Sequence, residues 1–178
     1  MKFIKDILLF EVETSGANPD KDVVLQIGAL LLDKDNLLEK GFYHTYIRNS
    51  LIEATLKEQA KIAHTSFENL QMGVKPLEFI KLFSSQFSGP LTLAMPSVSR
   101  LLFLKNTFKK QAVPFPYDLN IIDLWTMQYM FSVKRGLRKM PTLNTLAEDF
   151  HMTITNPYNA FERAKTHAAI FRKLCVEF

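Results

Sequence analysis

The stretch Phe-Glu-Val-Glu-Thr-Ser-Gly at residues 10–16 decides the fold of this chain. It continues an apolar run from Ile7 to Leu9 that is typical of a buried β-strand, and it ends in a small polar turn. Glu11 and Glu13 are two positions apart, so in a strand their side chains project to the same face. Converging carboxylates at the end of a buried strand are candidate ligands for a hard divalent cation such as Mg²⁺ or Mn²⁺. The same pair on an exposed strand face would simply be solvated. The rest of the chain decides between a metal site and a solvated surface.

Two further segments continue the strand pattern. Residues 23–33 form a near-continuous apolar run, which predicts a second strand buried on both faces. Residues 41–47 alternate between apolar and polar side chains and predict a third strand. Polar turns separate these segments, so the chain opens with three consecutive strands.

This opening resembles the DEDDh 3′–5′ exonuclease family, which includes polymerase proofreading subunits, oligoribonuclease and ribonuclease T. The first motif of that family is Phe-Asp-x-Glu-Thr-Thr/Ser-Gly, and its next strand contains Glu/Gln-Ile-Gly-Ala. The matching residues are Phe10, Glu13, Thr14, Ser15, Gly16, Gln26, Ile27, Gly28 and Ala29. Glu11 stands where the family has Asp. The resemblance implies an α/β, ribonuclease H-like exonuclease fold with a central mixed β-sheet flanked by helices, a single domain over residues 1–178, and Mg²⁺ or Mn²⁺ as cofactor if the site is active.

The resemblance extends along nearly the whole chain. It predicts a helical connection over residues 62–87, a central strand, a second helix, a strand-to-helix step and two further helices. The predicted boundaries are 76–87 for the longer connecting helix, 91–94 for the central strand, 97–108 for the next helix, 120–125 for the step, and 141–150 and 159–171 for the last two helices. An apolar stripe that includes Ala160, Ala164 and Phe171 supports the final helix.

The second and third family motifs are altered at the positions that carry the chemistry. The catalytic Asp of the second motif aligns with Arg100. The third motif is His, four intervening residues, then Asp, and it aligns with Tyr158 and Arg163. Of the five family positions that carry the catalytic chemistry, only Glu13 is unchanged. Glu11 keeps the negative charge of the family Asp, with one more methylene group.

These replacements change the charge of the predicted site. Four carboxylates would carry about −4 and hold two cations for phosphodiester cleavage, whereas the present set sums to about zero because arginine stays protonated. Arg100 and Arg163 could form buried ion pairs with Glu11 and Glu13, which would occupy the former metal positions. The two arginines could also bind a nucleic-acid phosphate directly, together with the loop of residues 14–16. Metal binding by the two glutamates is therefore expected to be weak or absent.

Other polar residues near the motifs have simpler interpretations. Tyr158 occupies the position where the family has its catalytic His, but a phenol with an ordinary pKa near 10 is a poor base at neutral pH. His167 lies one helical turn after Arg163, on the same face of the helix. It could reach the site from there, but a surface or interface histidine is the expected interpretation. Asp123 is expected to be a helix cap. Glu162 points about 100° away from Arg163 around the helix and is an unlikely ligand.

Composition limits the class of protein further. The chain has 178 residues, 47% of them apolar, and Cys175 is its single cysteine, which excludes an internal disulfide framework or a cysteine-rich zinc site. Its apolar runs are too short for a membrane helix, and the N-terminal residues lack a signal-peptide pattern, so a cytoplasmic location is expected. The net charge is +4, with basic clusters at residues 105–110 and 134–139 and in the last helix. Such clusters are either solvated faces or a salt-sensitive contact to nucleic acid.

Three hypotheses about function follow from the sequence. The first is an exonuclease-like protein with impaired or lost catalysis that retains binding of single-stranded DNA or RNA. The second is an atypical metal-dependent 3′–5′ exonuclease that uses Glu11 and Glu13 with borrowed ligands. The third is a protein-interaction subunit of a nucleic-acid-processing complex, with a protein partner or a second copy of the chain as its ligand. No membrane partner is expected.

Overall fold

A five-stranded mixed sheet forms the centre of the molecule in the computed structural model, which describes residues 2–153 and 156–178. The strands are β1 (Asp6–Thr14), β2 (Val24–Leu32), β3 (Glu39–Tyr46), β4 (Leu91–Met95) and β5 (Ile121–Asp123). Their order in the sheet is β3-β2-β1-β4-β5. β1 pairs antiparallel with β2 and parallel with β4, and β5 is parallel to β4. The predicted mixed sheet is therefore confirmed.

Seven helices flank the sheet in the described part of the chain. They are α1 (Glu53–Ile62), α2 (Phe67–Gln71), α3 (Pro76–Gln86), α4 (Val98–Lys110), α5 (Leu124–Lys134), α6 (Leu143–Asp149) and α7 (Ala160–Glu177). The predicted helices α3 to α7 are present, and α7 continues well beyond residue 171. The start of the helical connection at residue 62 is wrong, because α1 precedes it. Helix α1 buries only Leu56 and Ala60, so few apolar residues mark it in the sequence.

The alternation of β1 separates two parts of the core. Leu8, Phe10 and Val12 face one side of the sheet, where aromatic residues of α3 and α4 pack against them. Ile7 and Leu9 face the other side and pack against α7. Glu11 and Glu13 continue the second set, so both carboxylates lie on the face that α7 covers.

Helix α7 approaches the sheet closely at its first turn. A Cβ atom on Gly28 would lie 2.3 Å from the Cα atom of Phe161, so only glycine leaves room for the helix at this point of β2. Gln26 fixes the end of the helix, because its Oε1 accepts a hydrogen bond from the backbone N–H of Ala160 at 2.8 Å. In the register of the sheet, Gly28 is opposite Glu11 and Gln26 is opposite Glu13. The start of α7 is therefore held directly over the two glutamates.

Among the described residues, no helix combines the length and apolar character that crossing a membrane requires.

Candidate functional site

The predicted site residues Glu11, Glu13, Arg100 and Arg163 meet at the carboxyl end of β1. Glu11 is 1% exposed, and its Oε1 atom accepts a hydrogen bond from Arg100 Nε at 2.8 Å and another from Arg163 Nη2 at 2.7 Å. Arg163 Nη1 also donates to Glu13 Oε1. The two arginines thus point into the centre of the site, and one guanidinium bridges both carboxylates.

Arg163 is bound on several sides. Besides the two carboxylates, its guanidinium donates to the carbonyl oxygen of Val12 at 3.2 Å and to that of Pro157 at 3.3 Å. Its side chain is 15% exposed, against 32% for Arg100. Arg163 is therefore part of the packed structure, while Arg100 keeps a larger exposed surface at the rim.

Burial and charge act in opposite directions on Glu13. Removal from water raises the pKa of Glu13 above its ordinary value, and the neighbouring Arg163 opposes that rise. The charge of Glu11 adds to the increase, since two carboxylates close together resist simultaneous ionisation. Arg163 therefore offsets repulsion that a site with two glutamates alone would retain.

His167 is also part of this cluster, and its expected place on the surface is wrong. The residue is 6% exposed, and its Nδ1 atom lies 2.9 Å from the carbonyl oxygen of Arg163 and 3.9 Å from Glu11 Oε2. Because a carbonyl only accepts, Nδ1 carries the proton. Burial lowers the pKa of His167, which favours the neutral imidazole. The sequence holds a signal for this position, since His167 falls between Ala164 and Phe171 on the buried stripe of α7.

Tyr158 lies at the rim, adjacent to the contact between Pro157 and Arg163. It is 50% exposed, and its ring stacks on His64 with a centroid distance of 4.0 Å. His64 has a φ of 46°, in the left-handed region, so the loop after α1 adopts a special conformation where it meets this tyrosine. The phenol is placed in an exposed aromatic pair.

The loop at residues 14–16 is held by internal hydrogen bonds. Thr14 Oγ1 donates to the carbonyl oxygen of Gly16 at 2.6 Å, and Ser15 Oγ accepts from the backbone N–H of Val23 at 3.0 Å. A Cβ atom on Gly16 would lie 2.4 Å from a carboxylate oxygen of Asp22. The loop is thus closely packed against an acidic side chain.

The two remaining candidates have structural roles. Asp123 caps α5, because its carboxylate accepts hydrogen bonds from the backbone N–H of Trp125 at 3.2 Å and from the Thr126 hydroxyl at 2.9 Å. This confirms the predicted cap. Glu162 forms an ion pair with Lys165 on its own helix.

The donor set does not fit a two-metal centre. Both glutamates already bind guanidinium groups, and the cations occupy the space between the carboxylates. Across residues 2–153 and 156–178, no group of three or more His, Cys, Asp or Glu side chains is placed to hold a metal ion. One carboxylate oxygen, Glu11 Oε2, is buried and has no hydrogen-bond partner in that part of the chain. The oxygens of two carboxylates that already bind arginine fall well short of the six or so ligands that Mg²⁺ requires.

Three helices begin at this end of the sheet. Helix α4 follows β4 and α5 follows β5, and both strands are parallel to β1. The start of α7 is fixed by Gln26 next to Glu13. Side chains already bind the N-terminal N–H groups of α5, through the Asp123 carboxylate, and of α7, through Gln26 and Asn159. Helix α4 has neither a side-chain cap nor an acidic residue in its first turn, so the partial positive charge of a helix end remains at α4.

Comparison with solved structures identifies the fold. Cell-death related nuclease 4 (CRN-4) superposes with a TM-score of 0.76 at 14% identity, over 97% of this chain and 64% of that one. E. coli exonuclease I in complex with a dT13 oligonucleotide gives a TM-score of 0.77 at 15% identity, over 96% of this chain and 41% of that one. The nuclease domain of 3′hExo, a DEDDh family member bound to rAMP, gives 0.73 at 12% identity, over 99% and 95%. No protein-family model and no curated protein sequence matches the chain.

These likenesses show that the chain has the DEDD exonuclease fold of the ribonuclease H-like class. The chain spans less than two thirds of the length of CRN-4 and of exonuclease I. The fold is thereby established, whereas the chemistry depends on the residues at the site.

Proposed function

We propose that this protein is an exonuclease-fold protein that has lost two-metal phosphodiester hydrolysis and retains binding of single-stranded nucleic acid. The observation that carries the proposal is the Glu11 Oε1 atom, which accepts hydrogen bonds from both Arg100 and Arg163. Arg163 also binds Glu13. Fixed cations therefore stand between the carboxylates that the fold would use for divalent metal ions.

The replacement of the family base supports the same proposal. A general base must reach the attacking water and have a pKa near the working pH. Tyr158 is half exposed and stacked on His64, and a phenol is protonated at neutral pH. The Nδ1–H group of His167 donates a hydrogen bond to a backbone carbonyl oxygen, and the residue is almost fully buried. Neither residue is placed to activate a solvent nucleophile.

Binding of nucleic acid is supported by charge at the same edge of the sheet. Arg100 uses its Nε atom for Glu11, and about a third of its side chain is exposed. The remaining N–H groups of this guanidinium can donate hydrogen bonds to a second partner, and their fork geometry suits phosphate oxygens. The N-terminus of α4, which has no side-chain cap, adds to the attraction for anions.

A hydrolysis assay tests the proposal. Labelled single-stranded DNA and RNA oligonucleotides are incubated with the protein and Mn²⁺, alongside the Glu13→Gln variant. We expect no release of nucleotides by either protein, together with salt-sensitive binding of the oligonucleotides. Release that disappears in Glu13→Gln would contradict the loss of catalysis. Absence of binding at low salt would contradict the retained interaction.

An atypical exonuclease is the second candidate, and one observation favours it. Glu11 Oε2 is buried without a hydrogen-bond partner among the described residues, so one oxygen is available to a single cation. The same assay separates the two candidates, because only this second one predicts Mn²⁺-dependent release that requires Glu13.

A further inference from the structure

The segment from α5 to α6 has an unusual charge distribution. Residues 124–147 contain four basic residues and no acidic residue, so this segment accounts for the whole net charge of +4. The basic residues are Lys134, Arg135, Arg138 and Lys139. In the rest of the chain, acidic and basic residues are equal in number. A segment with four cations and no carboxylate of its own attracts polyanions.

The exposed face of α5 carries two aromatic rings. Trp125 and Tyr129 are 49% and 47% exposed, and their ring planes lie within 9° of each other at a centroid distance of 5.7 Å. They are four residues apart, so they lie on the same side of the helix. Val133, one turn further on, is also exposed. Two parallel aromatic rings, each about half exposed, offer a surface on which a planar base can stack.

This face begins beside the exonuclease site. The last residue of β5, Asp123, pairs with Met95 of β4, and β4 in turn is parallel to β1. Helix α5 starts at the next residue. Trp125 therefore lies in the first turn of a helix that begins at the same edge of the sheet as Glu11, and the helix leads away from that edge toward the basic loop.

The cations at the far end of α5 differ in availability. Lys134 donates to the backbone oxygen of Glu177, and Arg135 forms an ion pair with the carboxylate of the same residue. Arg138 and Lys139 are exposed, and they make no hydrogen bond or ion pair with any part of the chain that the structure describes. Of the four cations, these two can therefore bind phosphate groups without breaking a contact inside the protein.

We propose that the outer face of α5 and the loop of residues 134–139 form a binding surface for single-stranded nucleic acid. Unpaired bases stack on Trp125 and Tyr129, and backbone phosphates bind Arg138 and Lys139. The inference rests on the proposed function for the identity of the ligand, and it adds a surface outside the former catalytic centre. Because every base has a π-face and phosphates are uniform, binding at this surface is independent of sequence and weakens with salt.

The composition of the chain provides a direct probe. Trp125 is the only tryptophan, so fluorescence excited selectively at the indole, beyond the absorption of tyrosine, reports on this surface. Titration of the full chain with oligothymidylate and oligouridylate at low salt is expected to quench the fluorescence of Trp125. The same titration followed by the anisotropy of a labelled oligonucleotide measures the affinity of each variant without using the indole signal.

Two variants and a matched control test the contacts. Tyr129→Ala and Arg138→Glu/Lys139→Glu are each expected to weaken binding about tenfold or more. The control Lys2→Glu/Lys81→Glu makes the same change in net charge at exposed lysines elsewhere, and it is expected to reduce binding far less. All of these positions are exposed, so the variants are expected to keep the unfolding temperature of the wild type.

The outcomes distinguish the surface from the proposed function. Oligonucleotide binding that survives both surface variants, without quenching of Trp125, overturns the inference and leaves the proposed function standing. Loss of binding in Arg100→Gln alone has the same meaning, because it places the strand at the former centre. Failure of the wild type to bind either oligonucleotide overturns both. Self-association that buries Trp125 without nucleic acid assigns the surface to a second copy of the chain and also overturns the inference.

Discussion

Arg163 on α7 donates a hydrogen bond to Glu11 on β1 at 2.7 Å, although 152 positions separate the two residues in the chain. The contact exists because β2 has glycine opposite Glu11, which lets the backbone of α7 rest on the sheet. An arginine in the second turn of that helix then reaches the carboxylates below it. A cation of the protein itself thus occupies the region where the fold of nucleases would place metal ions.

Removal of Arg163 is expected to destabilise the protein strongly. The variant Arg163→Met keeps the aliphatic volume but leaves Glu11 with one guanidinium and Glu13 with none, so the free energy of unfolding should fall by about 3 kcal/mol. Urea denaturation measures this change. The control Lys165→Met breaks an exposed pair with Glu162 and should cost less than about 1 kcal/mol. Equal effects would mean that the Arg163 contacts contribute no more than a surface pair.

The close approach of α7 to the sheet can be tested at a glycine. Gly28→Ala places a methyl group 2.3 Å from the Cα atom of Phe161. Since both sides of this contact are backbone, the helix must move, and we expect a loss of about 3 kcal/mol or more in unfolding free energy. Gly41→Ala is the matched control, because nothing lies within 4 Å of its added Cβ atom. A small effect at Gly28 would show that α7 is not held against β2.

Two histidines predict a pH dependence of stability: His167 is buried, and His44 is exposed on β3 but partly desolvated. Loss of water lowers the pKa of both, so the unfolded chain binds protons at a higher pH than the folded protein does. The stability that these histidines contribute is complete above the unfolded pKa of about 6.5 and is lost as the pH falls below it. The slope is at most about 1.4 kcal/mol per pH unit for each histidine.

Variants at histidine positions assign that slope. His167→Asn keeps a donor for the carbonyl oxygen of Arg163, and it should reduce the dependence of unfolding free energy on pH between about 6.5 and 5. His151 is exposed and has a φ of 57°, a conformation that asparagine tolerates. His151→Asn is therefore a suitable control and should leave the slope unchanged. An unaltered slope in His167→Asn would contradict the assigned role of burial.

Acidic side chains at positions 100 and 163 should create an interaction with metal ions. In Arg100→Asp/Arg163→Asp the site has four acidic side chains, which repel one another unless a cation is present. We expect a lower unfolding temperature without metal, and a rise of roughly 5–10 °C when Mn²⁺ is about a hundredfold above its Kd. The wild type should show no such rise.

The variant Arg100→Gln/Arg163→Gln separates the loss of the two cations from the gain of two carboxylates. It removes the cations without adding carboxylate ligands, so its response to Mn²⁺ should be much smaller than that of the aspartate variant. A comparable rise in the wild type would show that the arginines do not block the site. A comparable rise in the glutamine variant would show that Glu11 and Glu13 suffice as ligands.

Local patterns in the sequence predicted most of the fold. The alternation of β1 placed Glu11 and Glu13 on one face, because side chains in a strand alternate regardless of what surrounds them. The apolar stripe of α7 indicated which side of that helix packs against the sheet. Helix α1 was missed because it buries few residues, so the hydrophobic effect leaves little trace of it in the sequence.

The sequence by itself therefore predicted the exonuclease fold and aligned Arg100 and Arg163 with acidic positions of the family that the chain resembles. Only the tertiary structure decided that both guanidinium groups point inward and share Glu11, because the direction of a long side chain depends on partners far away in the chain. His167 shows the same limit. Its Nδ1 hydrogen bond to the carbonyl oxygen of Arg163 lies within α7, but its burial depends on the packing of that helix against the sheet beside Glu11.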